Sequence, residues 1–527
     1  MKAFMQIRKL LLSLVFSTFV IVMLLSSSAY AQPLQVKDAP TPKATSLNTV
    51  YIRKNAHSPE ARADIEALQK ALRIMRDNGC GNPLSWYYQG GIHWVPPASD
   101  LPTNPLCPSY NQVSSQLKTA WNNCTHDKAG TSLIHFLSWH RFFINYFERI
   151  VRRLSGKSDF ALPYWDYTST TNVDTNRRMP AEFTIPPSQS FNNSLYEESR
   201  FRPLNAGSPI DSRWAEQNLN VDALFQSTDF ETFNSTIDGK PHGVMHDYIG
   251  LGPGYLDLID WRWNPIWQKY TVGGMMAWVE TAGFDPIFWL HHSNIDRLWE
   301  KWTRSARGQR ITLEQLNSVY WPYAFFDENG NPVVYTSQQV YNMVYNQDYV
   351  YDDLPAPRSG EEFATQTKKR EKSLIAARNF QQPLSDTPTE LGFPLTSRLE
   401  KKNSTLLREV AAISSPLEKS FVVELAVSFQ GRPRGIYDVY VNLPNIKAIS
   451  DRSAYYGGSL SFFMPEHDEK VTKTFRFDIT DELIQQVKTR EDLGDAQNLS
   501  FTIFKNGGSK DPQIVVEKVT LYQYKQS

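Results

Sequence analysis

LIHFLSWHRFFINYFERIVRRL, residues 133–154, contains no proline or glycine and spaces its apolar residues for one long buried helix. The turn Ser155-Gly156-Lys157 closes it. His135 and His140 lie in this stretch, and His126 stands just before it, two residues after Cys124. The chain has 10 histidines in all, so three so close together need a reason. A lone histidine in an apolar helix is usually a packed residue; a cluster points to a metal.

Working outward, PHGVMH (241–246) sets His242 and His246 at i, i+4. On a helix that spacing puts both imidazoles on one face, one turn apart. The Glu of a zinc-protease HExxH is missing, which disfavours hydrolysis. FDPIFWLHHSNIDRLWEKW (284–302) reads as a helix after Pro286 and carries His291 and His292. Adjacent helix positions point about 100° apart, so one of the pair faces a shared metal. His93, in WYYQGGIHW (86–94), and His140 complete a second set with His126 or His135. Two sets of three imidazoles suit copper, zinc, iron or nickel. A di-iron bundle would show Glu and Glu-x-x-His, and a lone catalytic zinc would leave three histidines unexplained. Two copper ions, three histidines each, is the natural reading.

CTH (124–126), FLSWHRFFINYFERI (136–150), LPYWDY (162–167), HGVMH (242–246) and FDPIFWLHHSNIDRLW (284–299) together resemble the tyrosinase and catechol oxidase (polyphenol oxidase) family. That family shares its type-3 dicopper site with molluscan haemocyanin. The motif combination is specific and covers roughly residues 58–345. The tail resembles, more loosely, the C-terminal β-domain of plant polyphenol oxidases, through YDVYVNLP (437–444) and the final strands.

The resemblance implies that His93, His126 and His140 hold one copper and His242, His246 and His292 the other, with His291 a packed neighbour. Phe288 matches the aromatic over the site. Cys124-Thr125-His126 matches a C-x-H in which sulfur joins the imidazole by a thioether bond. The family's usual spacing back from His140 lands on Thr131, which cannot serve, so an insertion of roughly DKAGT is expected after His126. His135 is the rival ligand; at i−5 it points about 140° from His140, and a packed histidine fits it better. Asp238 stands where the family has a Glu that positions a water for proton removal from monophenols, and Gly243 where it has a helping Asn. Asp247 is a second candidate carboxylate. Asp296 is expected to be structural, Tyr164 and Trp165 core, and His57 and His467 surface residues.

Composition sets outer bounds. Fifty-five Lys+Arg balance 55 Asp+Glu, and no basic helix or Gly-rich phosphate loop points to nucleic acid. Lys2, Arg8 and Lys9, the apolar run LLLSLVFSTFVIVMLL (10–25) and Ala29-Tyr30-Ala31 read as a signal peptide, 1–31. The expected location is secreted or periplasmic, with no stable membrane association after cleavage. An oxidising compartment permits a disulfide between Cys80 and Cys107, leaving Cys124 over.

The expected fold is a mainly α, loop-rich catalytic domain at 32–355, a four-helix bundle holding the dicopper centre. A linker at 356–415 and a small all-β sandwich domain at 416–527 follow, the latter read from short alternating runs such as SFVVELAVSF and IVVEKVTLYQY. By resemblance the function is O₂-dependent oxidation of o-diphenols to o-quinones, with weak monophenol hydroxylation. An oxygen carrier of haemocyanin type and an o-aminophenol oxidase are the alternatives. The β-domain is expected to cover the site until a protease cuts near KKREK (368–372) or Lys401-Lys402.

Overall fold

The computed structural model describes residues 50–95, 107–108, 110–124, 133–188, 192–253, 260–354, 370–395, 406–444, 452–466, 468–489, 498–507 and 513–526. The expected leader, His126 and His467 lie outside them.

Helix α1 (Arg62–Asp77) buries Ile65, Leu68, Leu72 and Met75, one apolar stripe at helical spacing. Helix α2 (Trp86–His93) starts where Ser85 Oγ accepts from the Tyr88 amide. The expected long helix begins as a tight turn at Leu133–His135 and runs on as α3 (Phe136–Ser155). It stops at Gly156, whose φ of 76° is the left-handed geometry a helix C-terminus favours in glycine. Asp229 caps α4 (Phe230–Ile237). A wide, distorted turn, Asp238–Gly243, leads into α5 (Val244–Leu251) because Lys240 is extended and Pro241 cannot donate. Helix α6 (Ile287–Thr303) follows Pro286; Asp285 accepts from the Ile287 amide and is gripped by buried Arg200. Cys80 and Cys107 form the expected disulfide.

A buried charge network ties α3 to α6. Arg141 Nε lies 2.5 Å from Asp296 Oδ1. Asp296 Oδ2 takes Arg53 at 3.2 Å and the hydroxyls of Tyr349 and Tyr351, each at 2.6 Å. Those groups arrive on a two-stranded parallel ribbon, β1 (Tyr51–Arg53) with β2 (Tyr349–Tyr351). Asp296 is thus structural, as expected, and its carboxyl is held below its ordinary range by Arg141 and Arg53, against the effect of burial.

The C-terminal part is two four-stranded antiparallel sheets. Strands are β3 (Arg370–Pro383), β4 (Thr389–Pro394), β5 (Lys419–Phe429), β6 (Tyr437–Val441), β7 (Tyr456–Leu460), β8 (Val471–Asp478), β9 (Asn498–Lys505) and β10 (Val515–Gln526). One sheet has the order β7-β6-β9-β4, the other β8-β5-β10-β3. The expectation of a linker over 356–415 is corrected here: β3 pairs along β10 and β4 along β9, so 370–394 is β-domain. The run's charge misled, because β3 is an exposed edge strand, where charge blunts edge pairing. The two parts have separate apolar cores; among the described residues only Ile436 and Phe463 of the β-domain join the helical one.

Two substitutions test this frame. Asp296→Ala takes from Arg141 and Arg53 the buried carboxylate they share, leaving them only Glu300 and Glu148, and should lower unfolding free energy by about 3–5 kcal/mol in urea titration. Glu482 is 6% exposed and its carboxyl is pushed up to about 8 by burial, with Asp478 and Asp481 adding to the rise. A folded value above the unfolded one means that stability falls as pH rises from the ordinary carboxyl range to about 8. Glu482→Gln should therefore raise stability at pH 8 by about 1–3 kcal/mol and flatten that fall.

Candidate metal centre

Five pieces of backbone deliver the six histidines. Helix α2 ends on His93, α3 carries His140, the distorted turn His242, α5 His246, and α6 both His291 and His292. All are buried. They fall into two groups whose donor atoms lie within 4.8 Å of one another: His242, His246, His291 and His292, and His93, Cys124 and His140. The His140 and His292 rings stack at 4.4 Å and 5°, so the groups abut.

Backbone carbonyls orient the rings. His93 Nδ1 donates to Val279 O at 3.0 Å, His140 Nδ1 to Phe136 O at 2.8 Å, His242 Nδ1 to Asp238 O at 3.0 Å and His246 Nδ1 to Met276 O at 3.1 Å. A carbonyl only accepts, so each of these Nδ1 atoms holds a proton, which leaves Nε2 as the atom whose lone pair can bind a metal. His291 Nδ1 lies 2.8 Å from the Tyr167 hydroxyl. His292 is held well below its ordinary range by burial first, then by His140, His291, His242 and His246. His246 Nε2 and His292 Nε2 are 3.4 Å apart, and His292 Nδ1 has no partner among the described residues. Buried imidazoles gathered in this way form a donor set that fits a borderline cation such as copper.

The other expected residues divide clearly. His291, expected as a packed neighbour, stands in the same group as His292. His135 spends both ring nitrogens elsewhere: Nε2 donates to Val319 O at 2.7 Å and Nδ1 lies 3.0 Å from the Tyr323 hydroxyl. Cys124 Sγ is 3.6 Å from His140 Nε2. The thioether partner, His126, lies outside the described residues. Phe288 is buried, with ring centres 4.2 Å from His292 and 4.9 Å from His93. Asp238 is 3% exposed; its Oδ2 pairs with Lys473 Nζ at 3.1 Å and its Oδ1 lies 3.6 Å from His242 Nδ1. Tyr164 and Trp165 are core. His57 is half-buried, with Nε2 donating to Arg178 O.

Three β-domain residues were invisible to sequence reasoning. The Phe463 ring stacks on His246 at 4.1 Å and 15° and meets His242 edge-on at 5.7 Å. Lys473 reaches Asp238, and Arg432 reaches Asp247 at 2.8 Å. Gly243 makes room for this closure: a Cβ there would come within 2.9 Å of Phe463 Cβ and 3.0 Å of Asp238 O. The stretch 461–464 reads only as strand, and nothing in it marks a contact with a distant histidine.

Residues 83–208 and 186–305 match the model of the common central domain of tyrosinase. The chain is similar to tyrosinase HcTyr1 of Hahella sp. (strain CCB-MM4), 32% identical over 277 residues; the match covers 50% of this chain and 55%, about half, of that relative. It is similar to the chloroplastic polyphenol oxidase C of Solanum lycopersicum, 24% identical over 523 residues, covering 90% of this chain and 74% of that one. A solved structure of latent aurone synthase (polyphenol oxidase) shares the fold, with a TM-score of 0.63 at 18% identity over 94% of this chain and 92% of that one.

If His135 is only a packed residue, His135→Gln should leave metal stoichiometry unchanged, whereas His140→Ala should remove about one ion per chain. Copper analysis of the dialysed variants reads both.

Proposed function

We infer that this chain, which belongs to the tyrosinase and polyphenol oxidase family, is a type-3 copper oxidase that converts o-diphenols to o-quinones with O₂ and is held latent by its own β-domain. The observation that carries the reading is the pair of abutting, buried imidazole groups. His93, His126 and His140 would hold one copper and His242, His246 and His292 the other, in what we read as a four-helix bundle; Cys124 would fix His126 by a thioether. The coppers, when bound, supply the redox exchange between phenol and O₂.

The chain's own residues do the rest. Carbonyls fix the tautomer of His93, His140, His242 and His246, so the lone pairs of those rings need no rearrangement to bind metal. Phe288 and the surrounding core keep water away from the rings. Asp238 is the candidate acceptor of a monophenol proton, but its side chain is one carbon shorter than a Glu, and Gly243 offers no side chain beside it. That favours diphenol oxidation over monophenol hydroxylation. Phe463 occupies the space over His246 and His242, which supports latency. A cut that frees the whole β-domain must fall before β3, between Tyr351 and Arg370, rather than near Lys401-Lys402, which follows β3 and β4. An activating protease is the partner this implies.

We read the enzyme as secreted or periplasmic, in keeping with its disulfide. Among the described residues no helix is long and apolar enough to cross a membrane.

Oxygen uptake with 4-methylcatechol tests the proposal. The intact copper-loaded chain should be nearly silent; the chain cut between Tyr351 and Arg370 should consume oxygen only with copper present. Tyrosine should then react at less than roughly a tenth of the rate of its catechol analogue. Two coppers bound without uptake after the cut would favour an oxygen carrier.

A further inference from the structure

One hairpin turns its aromatic rings to the solvent. Trp261–Asn264 pairs with Lys269–Val272, Trp261 opposite Val272 and Trp263 opposite Tyr270. Residues two apart on a strand, and partners across the ladder, share a face, so these four side chains stand together. Trp261 is 56%, Trp263 45% and Tyr270 64% exposed. Of the chain's 14 tryptophans, Trp261 and Trp263 alone are exposed. The Trp263 and Tyr270 rings meet at 5.5 Å and 69°. The opposite face holds the hairpin down, with Arg262, Asn264 and Thr271 buried. Asn264 Nδ2 donates to Thr281 Oγ1 at 3.2 Å, and its Oδ1 accepts from the amides of Ile266 and Trp267. Folding needs that anchored face. It does not need three rings left in water on the other, where threonine would hold the strand as well.

The rings continue to the seat of the β-domain. Trp278 Nε1 donates to Val272 O at 3.1 Å, and the Trp278 ring meets that of Trp267, in the hairpin's turn, at 5.1 Å. Trp278 stands between Met276 and Val279, whose carbonyls orient His246 and His93. The closed chain shows what this inner end accepts. Flat groups of the β-domain lie along it in a row. Phe463 stacks on His246 at 4.1 Å, the Arg432 guanidinium carbon is 5.1 Å from the Phe463 ring centre and 5.6 Å from that of Trp278, and that of Arg434 is 4.4 Å from Trp278. Planar groups running from the histidines onto Trp278 outline a molecule of several linked aromatic rings. When the β-domain leaves, Trp278 is uncovered and joins the hairpin's rings.

We propose that the hairpin and Trp278 form a docking strip for oligomeric catechols, which lay several rings along it while one catechol unit enters the opened centre. A single catechol can fill the centre alone, so only a ligand with further rings gains from aromatic side chains outside it. The substrate class it selects is linked o-diphenol units over monomers. This rests on the reading of the centre as a phenol-oxidising one.

The hairpin's rings are open in the closed chain, so binding is read without turnover. Anaerobic calorimetry on the intact copper-loaded chain compares catechin with a carbon–carbon-linked catechin tetramer. The tetramer should bind roughly tenfold more tightly. Trp261→Thr, Trp263→Thr and Tyr270→Thr together should bring the two within about twofold. On the chain cut between Tyr351 and Arg370, the triple variant should lose roughly tenfold in kcat/KM for the tetramer relative to 4-methylcatechol, through KM rather than kcat. Equal binding of tetramer and monomer, or a preference that survives the triple substitution, would overturn the proposal. So would a triple variant that loses self-association in sedimentation, or binding to phosphatidylcholine vesicles, while it binds the tetramer as before. If the tetramer binds through these rings but no catechol is oxidised after the cut, the oxidase reading fails and the docking strip stands. Should the triple variant misfold, Trp261→Thr and Tyr270→Thr are made singly; each should remove part of the preference, and an undiminished preference in both overturns it.

Discussion

The buried ion pair between Arg141 and Asp296 is the constraint on which the centre depends. Arg141 follows His140 in α3, and Asp296 stands one turn after His292 in α6. Turning either helix by one residue would swing its imidazole through about 100°. The pair therefore fixes the rotation of both helices at the level where the two histidine groups abut. Arg53, Tyr349 and Tyr351 saturate the same carboxylate and bring the two ends of the helical part onto one ribbon. Loss of that acid would strip two buried cations of their shared partner, leaving only Glu148 and Glu300, so the arrangement is intolerant of partial loss.

Much of this was legible because helices announce themselves. The periodic, proline-free run at 133–154 gave a helix within a few residues of its observed bounds, and Pro286 marked the start of α6. Histidine spacing brought His242 and His246 together although the turn between them is not a regular helix; their rings are 4.7 Å apart. His135 was separable from His140 by helical angle alone, and its two hydrogen bonds show where it spends itself. The two-residue pair His291-His292 was harder. An angle of about 100° suggests that one ring turns away, yet both reach the group, His291 with its Nδ1 2.8 Å from the Tyr167 hydroxyl.

What was illegible is what depends on contacts far apart in sequence. The charged stretch beginning at Arg370 looks like a linker because an edge strand with one solvated side is polar along much of its length. Only its pairing with β10 reveals it as sheet. Lys473 sits in ordinary strand sequence and Phe463 and Arg432 in the connections beside strands, and their meaning lies in Asp238, Asp247 and His246, more than 180 positions upstream.

The interface that holds the β-domain down is built largely from charge. Lys473 meets Asp238, Arg432 meets Asp247, Lys240 meets Asp438, Arg476 meets Asp229 and Glu231, and Arg307 meets Asp481. Thr228 donates to Asp478, and Arg370 to Thr228 O. Buried ion pairs recover little net free energy, because desolvation of each charge opposes the attraction. Their contribution is register: a shifted cap would strand several charges in a dry interface. An apolar interface of similar extent would close just as well but would tolerate sliding, and the Phe463 ring would then have no unique seat. The same reasoning explains why a covalent tether matters. A cap positioned by ion pairs, with only Ile436 and Phe463 entering the helical core, is kept in place by high local concentration as much as by affinity. Cutting the chain before β3 removes that concentration while taking only Ile436 and Phe463 from the helical core.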